Sequence, residues 1–204
     1  MRKVTNINSL WAFRKTEVPP SSFDRNWDLV SLPHTWNNID GIDGGNDYWR
    51  GKATYAKTLT LEELPEEKDN YLEINGANSS SDVFFNGEHL AHHDGGYSTF
   101  RVLLPKTSKN ENLLVIQVDN SANDRVYPQM ADFTFYGGLY RDVNIISVPE
   151  VHFDLDYYGG PGVMATPHTE GSLEVKVFVK GKSDERVRYV LLDKEGNTVA
   201  ETTT

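Results

Sequence analysis

Three stretches of this 204-residue chain gather side chains whose types and spacing could do chemistry. Residues 40–51 read Asp-Gly-Ile-Asp-Gly-Gly-Asn-Asp-Tyr-Trp-Arg-Gly and crowd four oxygen-bearing side chains into one loop. That suggests calcium, but the register misses the calcium-loop pattern and no bidentate Glu closes it. His89, His92 and His93 are three potential metal ligands within five positions. They follow the Asn86–Gly87 pair, and strand alternation points His92 and His93 to opposite faces. No orienting partners for a metal site can be identified around them, so a structural or solvated set is expected. The third stretch is Ala131-Asp132-Phe133-Thr134-Phe135-Tyr136-Gly137-Gly138, a carboxylate among aromatics just ahead of two glycines. Read alone, Asp132 closes its own loop on nearby backbone amides.

Other residues invite a chemical reading and do not support one. Thirty acidic residues are present, yet none sits in a context that would hold two carboxylates in one cleft. Glu62–Glu63 and Glu66–Glu67 are turn-associated. His34, between Pro33 and Thr35–Trp36, is expected to be a buried, hydrogen-bonded structural histidine. Tyr127, Phe133, Phe135, Tyr136 and the four tryptophans could stack on sugar rings, but most aromatics in a β-sandwich fill its core.

The elements that must position these residues are short alternating segments broken by Gly, Pro, Asn and Asp, the pattern of an all-β sandwich. Lys52–Leu61 offers Ala53, Tyr55, Leu59 and Leu61 to one face and threonines to much of the other. Tyr71–Asn75, Ser81–Phe85, Glu88–His92, Leu113–Asp119 and Val143–Val148 read as further strands. Asn-Gly between two of them signals a two-residue hairpin, because both central positions of a type I′ turn need positive φ. Past Pro149 the character changes. Leu173–Lys180 alternates apolar and polar, and Val187–Leu192 and Thr198–Thr203 flank the turn 193–197. These segments are expected to open a second, immunoglobulin-like sandwich, a module of about 100 residues. The expected division is therefore residues 1–148 and a truncated second domain over 149–204.

Composition narrows the partners. Hydrophobic residues make up 38% and charged residues 25%, ordinary for a globular protein. A net charge of −10 argues against nucleic acid and against an anionic membrane surface. With no cysteine there is no disulfide and no thiolate metal site. The N-terminal residues lack the apolar run of a secretory signal, so a cytoplasmic location is expected.

Six segments together resemble the N-terminal region of the family-2 glycoside hydrolases: the β-galactosidases, β-glucuronidases and β-mannosidases. They are Leu10-Trp11-Ala12-Phe13, Leu32-Pro33-His34-Thr35-Trp36-Asn37, Tyr55-Ala56-Lys57-Thr58, Val83-Phe84-Phe85-Asn86-Gly87, His93-Asp94-Gly95-Gly96-Tyr97 and Gly137-Gly138-Leu139-Tyr140-Arg141-Asp142-Val143. Ala56 departs from the family's Tyr-Arg-Lys-Thr. The resemblance runs from Leu10 to about Val148. It implies a galactose-binding-like jelly-roll β-sandwich, then the start of an immunoglobulin-like sandwich, then a (β/α)₈ barrel with two catalytic glutamates. A barrel takes about 250 residues, so none is contained here and no catalytic residue is assigned. Retaining hydrolysis needs two carboxylates about 5–5.5 Å apart, and the barrel is expected to supply them.

What the resemblance implies for this chain is support. Asp132 matches an Asp that reaches the glycone subsite, where its carboxylate can accept two charge-assisted hydroxyl hydrogen bonds. Asn46, Asp47 and Arg50 lie in the segment that approaches the same pocket in the family, against a plain glycine-rich surface loop. The expected role is the non-catalytic N-terminal part of a retaining β-glycosidase acting on terminal β-D-galactosides, itself inactive. It would brace the barrel and share in a full-length homo-oligomer. No metal or cofactor is expected in these residues, sodium or magnesium belonging to the parent enzyme. A free-standing carbohydrate-binding module, and the β-glucuronidase and β-mannosidase branches of the family, are the alternatives.

Overall fold

The computed structural model describes residues 1–24, 26–40, 47–127, 134–182 and 184–204. Among them there is no helix, and every strand pairing is antiparallel. The first ten strands are β1 (Lys3–Asn6), β2 (Trp11–Arg14), β3 (Asp28–Val30), β4 (Lys52–Thr60), β5 (Asp69–Ile74), β6 (Ser80–Phe85), β7 (Glu88–Asp94), β8 (Phe100–Leu103), β9 (Glu111–Asp119) and β10 (Val143–Val148). They form a four-stranded sheet in the order β1-β10-β5-β8 and a six-stranded sheet in the order β3-β2-β4-β9-β6-β7. Neighbours distant in sequence pair in both sheets, as a jelly roll requires.

The two sheets face each other across one apolar core. Leu72, Ile74, Val102, Val143 and Ile145 come from the smaller sheet. Trp11, Tyr55, Leu59, Val83, Leu114 and Ile116 come from the larger. Burying a side chain of this size contributes about 1.5–3 kcal/mol, so this face fixes the register of both sheets.

Over β2, β4 and β9 the outer side of the larger sheet is covered rather than solvated, which corrects the one-sided reading of Lys52–Leu61. Trp27 and Val18 pack over Ala12, Ala56 and Val115, and Thr54 is fully buried. Thr54 Oγ1 donates to the Thr16 carbonyl (2.9 Å) and accepts from the Val18 amide (3.1 Å), and Gln117 Nε2 donates to the Val18 carbonyl (2.7 Å). Polar side chains on the strands thus satisfy the backbone of the covering segment.

The hairpin between β6 and β7 turns at Asn86 and Gly87 with φ of +51° and +87°, as the Asn-Gly pair predicts. The pairing slips between Val83 and Phe84, which oppose Ala91 and His89, leaving Leu90 as the extra residue of a bulge. That extra residue turns His89 onto the same face as His92, so both reach Asp82 at 2.9 Å. His93 faces the other way and stacks on Phe100 with ring centroids 4.1 Å apart. Among the described residues no three or more His, Cys, Asp or Glu side chains are grouped so that they could hold a metal ion.

After β10 come β11 (His152–Phe153), β12 (Val163–Pro167), β13 (Leu173–Val177), β14 (Val179–Lys180), β15 (Arg188–Leu192) and β16 (Thr198–Thr203). They pair as three two-stranded ribbons, β11-β14, β12-β13 and β15-β16. The expected single strand Leu173–Lys180 is broken at Phe178, whose ring stacks on Tyr157 (4.4 Å) while its backbone bonds Asp154 and Gly162. Leu155 packs on Tyr71, Ile146 and Val148 at the outer face of the smaller sheet. Arg101 Nε bonds Glu73 (2.7 Å), and its Nη1 donates to the carbonyls of Leu155 (3.2 Å) and Gly160 (2.6 Å).

Candidate functional site

Gly137 and Gly138 sit where no side chain fits. Gly138 has φ of +125°, and a Cβ there would lie 2.5 Å from the His34 carbonyl and 2.8 Å from the Tyr55 hydroxyl. A Cβ on Gly137 would enter the Trp36 indole. The turn can approach so closely because the segment from Pro33 to Asn37 wraps it. His34 N donates to the Leu139 carbonyl (2.8 Å), and Thr35 Oγ1 donates to the Gly137 carbonyl (2.8 Å). On its other side Gly138 bridges Asn78, with Asn78 N donating to the Gly138 carbonyl at 3.1 Å. His34 serves this packing, as expected: Nδ1 lies 2.8 Å from the Tyr55 hydroxyl, and burial holds the ring below the ordinary histidine value.

The centre of the arrangement is Asn37, which is fully buried. Its Oδ1 accepts from the Gly137 amide (2.8 Å) and from Asn120 Nδ2 (3.3 Å). Its Nδ2 donates to the Trp49 carbonyl (2.9 Å) and to Asp40 Oδ1 (3.1 Å). Asp40 in turn accepts from the Trp49 amide (3.0 Å), and Asn120 Oδ1 accepts from the Gly51 amide (2.9 Å). One amide therefore joins the stretch ending at Asp40, the stretch from Trp49 to Gly51, the end of β9 and the double-glycine turn. Burial alone would raise the Asp40 carboxyl. The Trp49 amide, Asn37 and Lys15, whose Nζ lies 3.5 Å away, outweigh it and hold the group below the usual carboxylate range.

Two of the four candidate site residues, Asp47 and Arg50, are among the described residues. Asp47 is exposed. Arg50 lies over the Tyr48 ring, 5.1 Å from its centroid, and donates to the Tyr48 hydroxyl from Nε (3.1 Å) and Nη2 (2.7 Å). Asn46 and Asp132 lie outside the described residues. Their sequence neighbours do not: Asp40 and Trp49 bracket the first, and Gly137 follows the second by five positions. The structure brings these anchors together at Asn37. Sequence reasoning placed Asn37 in a motif without a role for it and ended a strand at Asp119, just before Asn120. The available signal was an Asn directly after an aromatic in a loop, which suits a side chain that caps several backbones.

No family model matches the chain. A β-glucuronidase from Bacteroides fragilis is 34% identical over 176 residues, 85% of this chain and 25% of that protein. A β-galactosidase from Thermoanaerobacter pseudethanolicus is 26% identical over 204 residues, 96% of this chain and 27% of that protein. Among solved structures, an FMN-binding β-glucuronidase from Faecalibacterium prausnitzii L2-6 superposes with a TM-score of 0.86 at 40% identity, covering 100% of this chain and 32% of that one. Fold and site together define an all-β sandwich whose Pro33–Asn37 segment and double-glycine turn are joined by a buried polar centre at Asn37. The chain belongs to the family-2 glycoside hydrolases and corresponds to their N-terminal region. It spans about a quarter to a third of the length of these relatives.

Proposed function

We propose that this chain serves as the non-catalytic N-terminal part of a retaining β-glycosidase, residues 1–148 being its jelly-roll domain and 149–204 part of an immunoglobulin-like sandwich. Its substrates are carbohydrates bearing a terminal β-linked sugar, and its partner is the catalytic barrel of the same enzyme. Asp132, with Asn46, Asp47 and Arg50, supplies contacts to the glycone. The observation that supports this reading is the meeting at Asn37 of Asp40 and Trp49, which bracket Asn46 and Asp47 in sequence, with Gly137, five positions after Asp132. A rigid, fully satisfied polar centre is what a positioned contact surface needs.

The glycone is the finer question. The sequence alone favoured galactose. The relatives of higher identity, at 34% and 40%, are named β-glucuronidases, whereas the β-galactosidase stands at 26%. That difference supports a β-D-glucuronide as the first substrate to test, with a β-D-galactoside second. Nitrophenyl glycosides of both sugars and of β-mannose, assayed with the full-length enzyme, decide it. Turnover confined to the glucuronide supports the assignment, turnover confined to the galactoside restores the second reading, and no turnover of any β-glycoside removes both.

A further inference from the structure

We propose that Tyr97, Tyr136 and Arg141 form the surface on which the catalytic domain of the same enzyme docks, an inference that rests on the barrel partner proposed above. Tyr97 and Tyr136 keep 48% and 37% of their surface exposed, and Arg141 is exposed beside the half-buried Tyr140. The core of the sandwich makes little use of these side chains. Tyr and Arg are the residue types that anchor buried protein contacts.

They come from connections that the two sheets bring to one end of the sandwich. Ile74, ending β5, lies opposite Phe100 and Val143, and Ser80, opening β6, lies opposite Asp94 and Asp119. The buried Asn78 ties these connections together. Its backbone pairs with Gly138, and its Nδ2 donates to the Tyr136 carbonyl (2.8 Å). Gly96 packs on it so closely that a Cβ there would overlap Asn78 Oδ1. The Tyr140 hydroxyl donates to the Gly96 carbonyl. Arg141 lies over the Tyr140 ring, 5.3 Å from its centroid, and its Nη1 donates to the carbonyls of Tyr97 (3.2 Å) and Asn75 (3.4 Å). The backbones that carry both tyrosines are therefore fixed in advance, which lowers the cost of binding.

The contacts left open state the chemistry of the occupant. Arg141 meets backbone carbonyls and, among the described residues, no carboxylate, in a chain of net charge −10. Its fork of donors suits a carboxylate or carbonyl presented from outside. Each tyrosine offers an apolar ring to bury and a hydroxyl to hydrogen-bond. Residues from separate connections contribute, which suits a broad protein contact rather than one sugar ring. The matched regions make up 25% and 32% of two relatives, so most of each lies outside them and a body large enough to cover this end is at hand.

The test is footprinting of the full-length enzyme, with hydroxyl radicals for the tyrosines and phenylglyoxal for Arg141, each read against the urea-unfolded enzyme. Tyr97 and Tyr136 should label at least about tenfold more slowly than when unfolded, and Arg141 should be protected with them, because the centre of a protein contact is dry. Tyr97→Ser and Tyr136→Ser should each lower the melting temperature of the full-length enzyme by about 2–4 °C, where an exposed residue would change it little. Tyrosines that label at the rates their exposure here gives, in an enzyme that still turns over a nitrophenyl β-glycoside, overturn the docking surface and leave the N-terminal role intact. Protection lost on dilution from about 10 μM to about 0.1 μM assigns the surface to a second copy and overturns it too. Protection that appears only with added β-D-glucuronide or β-D-galactoside assigns it to sugar, with the same consequence. An enzyme that turns over no β-glycoside removes the N-terminal role and this inference together.

Discussion

Asn37 shows how one residue can decide local geometry. Its amide has a donor and an acceptor side, and each is matched: carbonyl and carboxylate toward Nδ2, two N–H groups toward Oδ1. Asn37→Asp keeps the size and inverts half of this pattern, setting a second carboxylate against Asp40. It should destabilise at least as much as Asn37→Ala, which leaves buried groups unsatisfied at about 1–3 kcal/mol each. Urea titration of the two variants checks the order. Gly138→Ala should cost about 2 kcal/mol or more, since φ of +125° and the His34 carbonyl both oppose a methyl group; the same titration measures it. His92 predicts a pH dependence. Its bond to Asp82 raises the ring's pKa above the ordinary value, with partial burial opposing. A raised folded value means stabilisation that is complete below about pH 6.5 and lost as pH rises through the folded value. The stability difference between wild type and His92→Gln should therefore be larger at pH 5.5 than at pH 9, within about 1 kcal/mol for so exposed a site.

At the scale of elements, the hairpins and strand identities were legible because their signals are local. Asn86–Gly87 needs only its own two residues to turn, and the double-glycine motif shows where a backbone must pass closely. What the sequence did not show was long-range. The outer layer of Trp27 and Val18 depends on a loop folding back over β2, β4 and β9. The bulge at Leu90, which places His89 beside His92, depends on the partner strand. Arg101 is the clearest case. It sits on an ordinary strand, yet its guanidinium is buried between Glu73 and the carbonyls of Leu155 and Gly160. Arg101→Met would leave Glu73 buried without its counter-ion, a loss of about 3–5 kcal/mol, and free the 155–160 segment from the smaller sheet. Thermal unfolding should drop, and amide exchange should accelerate in 150–160 before it does in the core strands.

For the whole molecule, the six motifs carried the family correctly because each marks a tight turn or a close contact. They could not rank the sugars, since a motif that shapes a sandwich says nothing about the glycone. Asn46 and Asp132 were chosen through the family resemblance, and both lie outside the described residues. The account's central claim is that these residues support a catalytic centre located elsewhere. Calorimetric titration of the 204-residue chain with β-D-glucuronides and β-D-galactosides tests it most directly. The account predicts no binding tighter than about 1 mM, equivalent to about −4 kcal/mol, because most of the pocket belongs to another domain. One-to-one binding in the micromolar range would contradict it and identify a self-sufficient carbohydrate-binding module.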